Sequence, residues 1–394
     1  VHYTIRALFR IMAVEGRTPA AWKHSATVLL YKKGDHLDPA NYRPIGLLNT
    51  LYKLWTAVLT HAISDYAEAH HILSSCQEGF RRQRSTARQL QSMVRVIEDA
   101  ELTRQDLFVT YVDFSSAFNT IDHDKLLQVM YDLGFPTDAV AIVRDLYTHA
   151  TTHYCSAHGH TRPLEINRGS IQGDSLSPLL FLIFIEPLLR WLQSGGRGYA
   201  FGCMAGQPRA DECTTASLVF ADDLSMMTLT IMDMVVQCSK LTSFLVWAGM
   251  RVNHSKCAAS GILHGSTTAA ASPTDDSRLR ALLQGVHIQG RSLPYLSPCE
   301  PYKYLGIHLT LSLDWSHQWR YVWEAVTRKC ENVRTSLASP RQTLLLLQRC
   351  VVPLITYSFH LAIYTCTDIK ALDAMLARTA RRCHGLPAGT PTAC

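Results

Sequence analysis

The stretch Leu218-Val-Phe-Ala-Asp-Asp-Leu-Ser-Met-Met227 constrains this chain more than any other. It sets two adjacent carboxylates inside an apolar run, where one buried unpaired charge is costly and a like charge beside it adds repulsion. Short strands over 217–220 and 224–227 are predicted to flank Ala221-Asp222-Asp223, giving a hairpin with the acids at its turn. The dipeptide alone proves little, because hairpin turns favour Asp for backbone reasons. Asp275-Asp276 is a second such pair, in a polar stretch where solvated turn acids are expected. Asp222-Asp223 differs in its apolar flanks and in a third acid: Asp113 ends Leu107-Phe-Val-Thr-Tyr-Val112, the kind of strand that lies beside such a hairpin. Three converging carboxylates repel unless a divalent cation neutralises them. Their oxygens are the hard ligands that Mg²⁺ prefers, with positions left for water and phosphate. Two such ions about 3.5–4 Å apart activate an attacking oxygen and stabilise a leaving one. The acids therefore point to metal-assisted phosphoryl transfer, without separating polymerase from nuclease.

Composition permits this and adds limits. With 394 residues the chain has room for two or three domains. Hydrophobic residues at 47% and charged residues at 18% exclude wholesale disorder. The net charge of +6 (38 − 32) is compatible with a polyanionic partner without requiring one. The twelve cysteines never approach knuckle spacing, so no structural zinc site is expected and reduced thiols in an intracellular compartment are the simplest account. The eighteen histidines read as solvated or core-satisfied. The longest apolar run, 179–185, falls short of the ~20 residues that span a bilayer, so it reads as a core helix and no membrane partner is expected. The opening VHYTIRALFRIMAVEGR lacks a signal-peptide pattern, and the first residue, Val, suggests a piece of a longer protein.

Along the chain, 26–31 reads as a strand running into the basic turn Lys32-Lys33-Gly34-Asp35. A helix is expected to follow, with Pro44 at its entry and Leu47, Leu48, Leu51, Leu54, Trp55 and Val58 on one face. A second basic loop, GFRRQRSTARQL, leads into another helix. Ile121-Asp122-His123-Asp124 supplies an acidic first turn to a helix that ends at Gly134, and a long helix runs from 177 to about 191. Residues 264–298 read as a surface insertion or linker, and the chain becomes helical from about 314. The expectation is an α+β fold built on a split βαβ antiparallel sheet backed by helices.

In the same order, VLLYKKGDHLDPANYRPIGLLNTLYKL, QEGFRRQRSTARQL, VTYVDFSSAFNTID, RGSIQGDSLSPLLFLIFIEPL, VFADDL, AGMRVNHSKC and YKYLGIHL resemble seven blocks of reverse transcriptases of the non-LTR retrotransposon (LINE-like) type. The resemblance covers about 22 to 363 and implies a right-hand polymerase. It would have N-terminal fingers (1–106), palm (107–262), a linker and primer-grip region (263–309) and a helical thumb (310–394). It implies an RNA-directed DNA polymerase using two Mg²⁺ ions, or Mn²⁺, with an RNA template, a DNA primer and dNTP as partners. Asp113, Asp222 and, in support, Asp223 would hold the metals, helped by the Phe114 carbonyl. Phe118 matches the steric gate against a 2′-hydroxyl, and Gln172-Gly173 the contact to the nascent base pair. Lys32, Lys33 and Arg43 would hold the triphosphate and Lys256 would protonate the leaving pyrophosphate. Arg81, Arg82 and Arg84 would touch template phosphates, and Tyr304-Leu305-Gly306 the primer.

Asn119, Ile171 and Ser175 depart from the family pattern, and Ile171 stands where a basic residue is common. Two rivals stay open at this level. A non-catalytic RNA-binding clamp, maturase-like or from a decayed element, would keep the fold without the chemistry. An RNA-dependent RNA polymerase would want a small or acidic residue at 118 and Gly before the acid pair, where this chain has Phe118 and Ala221. Family resemblance alone places such an enzyme in the cytoplasm and nucleus of a eukaryotic cell.

Overall fold

A computed structural model describes residues 2–156, 159–202, 214–264, 273–387 and 390. After helix α1 (His2–Glu15), strand β1 (His24–Tyr31) pairs antiparallel with β2 (Tyr42–Leu47) and parallel with β4 (Thr151–Ser156). Strands β5 (Gly159–His160) and β6 (Leu164–Glu165) both pair with β4 and complete this five-stranded sheet. A second sheet is antiparallel throughout, in the order β11 (Ala258–Ile262), β3 (Leu107–Asp113), β10 (Asp223–Thr228), β9 (Ser217–Phe220). Three small hairpins join β7 (Tyr199–Ala200) to β8 (Thr214–Thr215), β12 (His287–Ile288) to β13 (Arg291–Ser292), and β14 (Tyr302–Tyr304) to β15 (Ile307–Leu309).

The second sheet is covered on both faces. Phe108, Val112, Val219, Leu224 and Met226 pack into a core shared with α2 (Thr50–Ala69), α4 (His123–Asp132), α5 (Thr137–Tyr147), α6 (Leu176–Gln193) and α7 (Ile231–Ala248). Val109, Tyr111, Leu218 and Met227 pack into a separate core with α3 (Thr86–Thr103) and the β14–β15 hairpin. Side chains alternate across a strand, so a strand buried on both faces must be apolar at nearly every position. That is why 107–112 reads as a continuous apolar run. Helix α6 is the one described helix long and apolar enough, by length and composition, to cross a membrane, and 72% of it is buried as core. A third cluster joins α9 (Ser316–Thr335), α10 (Pro340–Leu346), α11 (Val352–Thr356) and α12 (Cys366–Cys383) through Val326, Leu346, Ile355 and Leu372, which bears out the helical C-terminal region.

Two local expectations are corrected. Pro44 does not open a helix: it lies in β2 opposite Leu29, on an edge strand where its missing N–H costs little. Helix α2 starts at Thr50, where the Asn49 side chain accepts from the Leu51 N–H at 2.8 Å. Its buried face is Tyr52, Trp55, Thr56, Leu59 and Ile63, whereas Leu54 and Val58 are exposed. Of the stretch expected to be a linker, 265–272 lies outside the described residues. The rest is partly core: α8 (Pro273–Leu283) and the β12–β13 hairpin bury Leu279, Leu283, Val286, Ile288 and Leu293. Asp276 is accordingly a helix residue whose carboxylate accepts from the Tyr295 hydroxyl at 2.6 Å and from Ser297 Oγ at 2.9 Å. The side chain of Asp275 lies outside the described residues.

Candidate active site

The antiparallel register sets Asp223 directly opposite Asp113, where Cα atoms stand about 5 Å apart. Asp222 is the second residue of the two-residue turn that joins β9 to β10. The three acids therefore meet at one end of the sheet. The nearest cation is Lys256, whose Nζ lies 3.1 and 3.3 Å from the two Asp113 oxygens. Burial raises the Asp222 carboxyl and Asp113 raises it further, against the charges of Lys256 and Arg43. Desolvation, then the charges of Asp222 and Asp113, push the Asp223 carboxyl up to about 6.

The sign of a pH effect follows. A carboxyl raised to about 6 in the fold, against roughly 4 unfolded, lends stability that is full below about pH 4 and lost as pH rises through about 6. Asp222 and Asp174, raised chiefly by burial, act in the same direction. The metal-free chain is expected to melt at a higher temperature near pH 5 than near pH 7.5, with a smaller difference in Asp223→Asn. Thermal denaturation at the two pH values checks this, and an identical pH difference in the variant refutes it.

Asp113 and Asp222 open into a cleft of about 790 Å³ whose walls include Lys32, Arg43, Phe118, Gln172, Gly173 and Lys256. Neither Lys32 nor Arg43 has an ion-pair partner among the described residues, so both charges are free to meet an anion. Phe118 sits on a 3₁₀ turn (Ala117–Asn119) just after β3, its ring 4.8 Å from that of Phe181 and 6.5 Å from that of Phe80. Gln172 has a buried Oε1 with no hydrogen-bond partner. Its carbonyl accepts from the Gly46 N–H at 2.7 Å, which stitches this loop to β2. Gly173 has φ +115°, and a Cβ there would lie 2.7 Å from the Gly46 carbonyl oxygen, so only glycine fits. An orphaned amide oxygen, two unpaired cations and clustered acids line one cleft, so the site suits a ligand with phosphates and a polar ring edge.

Over residues 30–309 the sequence matches the family described as reverse transcriptase (RNA-dependent DNA polymerase). The chain belongs to the reverse transcriptase family. Among its relatives are the Pol polyprotein of the type-1 retrotransposable element R2 of Popillia japonica, 25% identical across 99% of this chain and 51% of that protein. The R2 protein of Nasonia vitripennis is 22% identical across 98% of this chain and 35% of that protein. The RNA-directed DNA polymerase of the mobile element jockey from Drosophila melanogaster is 24% identical across 96% of this chain and 40% of that protein. These are proteins of non-LTR retrotransposons, and the chain spans about half their length or less. Among solved structures, the telomerase of Candida tropicalis aligns with 98% of this chain and 63% of its own, at 12% identity and a TM-score of 0.45.

Reverse transcriptases use divalent metal ions. The residues at this site fit that requirement: hard oxygen donors are gathered with too little positive charge beside them to settle two raised carboxyls. Asp223 does not line the cleft with Asp113 and Asp222, although it pairs with Asp113 in the sheet. Phe114 is buried, and Lys33 is exposed and outside the lining of the cleft.

Three expected nucleic-acid contacts, Arg81, Arg84 and Tyr304, are corrected. Arg81 is buried and turned inward. Its guanidinium holds Glu68 through two 2.7 Å bonds and donates to the carbonyls of Ser74 and Gln77, so most of its donors are spent inside the fold. Arg84 is tied to Glu78 at 2.6 Å, whereas Arg82 is exposed and pairs with Asp65 at the surface. Tyr304 is also buried, its hydroxyl 3.3 Å from Ser225 Oγ and 3.2 Å from Gln89 Nε2, so its ring anchors the β14–β15 hairpin beneath β10. The turn residues Leu305 and Gly306 both have positive φ, and the Leu305 carbonyl accepts from the Tyr357 hydroxyl at 2.7 Å.

The sequence reading missed Gln77. This fully buried side chain reaches the β9–β10 hairpin: its Oε1 accepts from the N–H groups of Ala221 and Gly79, both at 2.8 Å, and its Nε2 donates to the Ala221 carbonyl at 3.3 Å. Ala221 has φ +57°, a conformation that disfavours side chains, so the turn is held from outside. Gly79 approaches so closely that a Cβ there would lie 2.3 Å from the Ala221 nitrogen. Gln77→Ala strands three buried backbone groups, the N–H of Gly79 and the N–H and carbonyl of Ala221, and is expected to cost about 2–4 kcal/mol of stability. With Asp222 no longer fixed, primer extension by the folded protein should fall about tenfold or more. Denaturant unfolding and extension kinetics measured on the same sample check both, and wild-type values for either would refute the clamp.

Asp174 was also missed. It is buried beside the cleft at the start of α6 and accepts from Thr56 Oγ1 at 2.5 Å. Only the fold brings α2 against it, so the sequence carried no local signal.

Proposed function

We propose that this chain is the polymerase segment of a non-LTR retrotransposon polyprotein, extending a DNA primer with dNTP on an RNA template. The observation that carries the reading is the meeting of Asp113 and Asp222 at the floor of a cleft walled by Arg43, Phe118 and Gln172-Gly173. Read as a right-hand polymerase, 1–106 are fingers, 107–262 palm, 263–309 linker and primer grip, and 310–394 thumb. Asp113, Asp222 and the Phe114 carbonyl would hold two Mg²⁺ ions, or Mn²⁺, with Asp223 tuning the pair. When bound, such ions supply activation of the attacking oxygen and charge for the departing one.

The protein's own groups do the rest. Arg43 and Lys32 bind the triphosphate, Arg43 with the planar fork that suits phosphate oxygens. The orphaned Gln172 amide and the close backbone at Gly173 bound the nascent base pair. Lys256, resting on Asp113, is the acid that protonates pyrophosphate as it leaves. Phe118, propped by Phe181, closes the space that a 2′-hydroxyl needs. Arg82 is the exposed cation left to meet the template, and Leu305-Gly306 the turn left to meet the primer. Such an element protein works in the cytoplasm and nucleus of a eukaryotic cell.

RNA-templated primer extension with dNTP and Mg²⁺ tests the reading directly. Labelled products lengthening with time are expected. Tight RNA retention on a filter with no product in Mg²⁺ or Mn²⁺ would replace it with the non-catalytic clamp.

A further inference from the structure

The exposed face of the five-stranded sheet carries a cluster of a different donor chemistry. His153 and Cys155 are two residues apart on β4, so both side chains leave the same face, and Cys155 is paired directly with His160 on β5. One ligand atom from each lies within 4.8 Å of the other two, with His153 and Cys155 half-buried and His160 exposed. Ordinary cysteine-knuckle spacing does not reveal this group, because strand pairing assembles it across a hairpin. A fourth residue organises it: His24 on β1 meets His153 Nδ1 through its Nε2 at 2.9 Å, and its Nδ1 meets Thr151 Oγ1 at 2.8 Å. That relay fixes the ring of His153 and leaves its Nε2 as the nitrogen to ligate.

We infer that His153, Cys155 and His160 form a site for a borderline-soft divalent cation, Zn²⁺ by donor type, with His24 as the positioning residue behind His153. Two imidazole nitrogens and a thiolate suit zinc and not the hard cations of the carboxylate cleft. At zinc's usual bond lengths three such donors stand roughly 3.3–3.8 Å apart, so side-chain rotation of about 1 Å closes the present spread. Tyr154 lies between the two β4 ligands, so alternation turns it to the other face, where it lines the carboxylate cleft. A cation here would pin β5 to β4 and steady the strand that carries this wall.

The test uses the full chain freed of metal with a chelator and then given Zn²⁺ alone. About one equivalent is expected to survive dialysis, to raise the melting temperature, and to protect Cys155 from alkylation as read by peptide mass. Cys155→Ser and His160→Ala should lose the equivalent, and Cys299→Ser, at an exposed cysteine elsewhere, should keep it. His24→Ala should retain the site with affinity reduced about 10- to 100-fold. Co²⁺ in place of Zn²⁺ should give a thiolate charge-transfer band that Cys155→Ser removes. Cys155 alkylated equally fast with and without Zn²⁺ overturns the proposal even if a variant misfolds, as does zinc held equally by wild type and the Cys155→Ser/His160→Ala double variant.

Discussion

Asp222→Asn is expected to lower RNA-templated primer extension by at least about a thousandfold while leaving the fold as stable as before, or more so. The first half rests on charge. Replacing one cleft-facing carboxylate by an amide removes a hard anionic ligand, and about 4 kcal/mol of lost transition-state stabilisation corresponds to that rate factor. The second half rests on the same group's discomfort in the metal-free protein. Burial and Asp113 already raise its carboxyl, so an uncharged isostere relieves a repulsion that the fold otherwise bears. Few substitutions at buried charged positions combine lost activity with unchanged or improved thermal stability, so the pairing is diagnostic. Extension rates and melting curves on one preparation, with RNA retention as the control for binding, check it. Wild-type extension by this variant would remove Asp222 from the chemistry altogether.

Phe118→Ala is the second large expected effect, and it falls on choice of sugar. The wild type should incorporate dNTP in strong preference to rNTP, and the variant should raise relative rNTP use by about 100-fold. The ring can discriminate because it cannot retreat: it is seated on Phe181 at the top of α6, flanked by Phe80, and carried on a short turn directly after Asp113. Phe118→Leu, which keeps the apolar contact, should fall between the two. Single-nucleotide incorporation with matched dNTP and rNTP reads the ratio. Equal use of both by wild type would favour the RNA polymerase reading and withdraw the gate.

The elements that bury an apolar face by local pattern were legible in the sequence. Strand 107–113, the 217–228 hairpin, the acid-capped helix at 123–132 and the long core helix at 176–193 all lie where periodicity and capping put them. Failures cluster where a residue's partner is remote. Pro44 looks like a helix entry until β1 is laid beside it, and Arg81 looks like a template contact until Glu68 turns back on it. Tyr304 reads as part of a surface motif, yet its hydroxyl is claimed by Gln89, 215 residues earlier. At the candidate site, motif order was enough to nominate the acids, Phe118 and Gln172-Gly173. The groups that hold them still, Gln77 and Asp174, depend on contacts 144 and 118 residues away and left no local trace.

The Gln77 contact also bears on how this protein can be cut. The motif-bearing acids all lie from 113 onward, so a fragment starting at β3 carries every one of them, although it loses Lys32 and Arg43 from the cleft wall. It lacks the segment 76–79, which lies along β9 through the Cys76 carbonyl and the Glu78 N–H and props the Ala221 turn from outside. Such a fragment would present Asp222 on an unbraced turn. Any minimal expression piece must start upstream of Cys76, and supplying the missing stretch as a separate polypeptide is the natural complementation experiment.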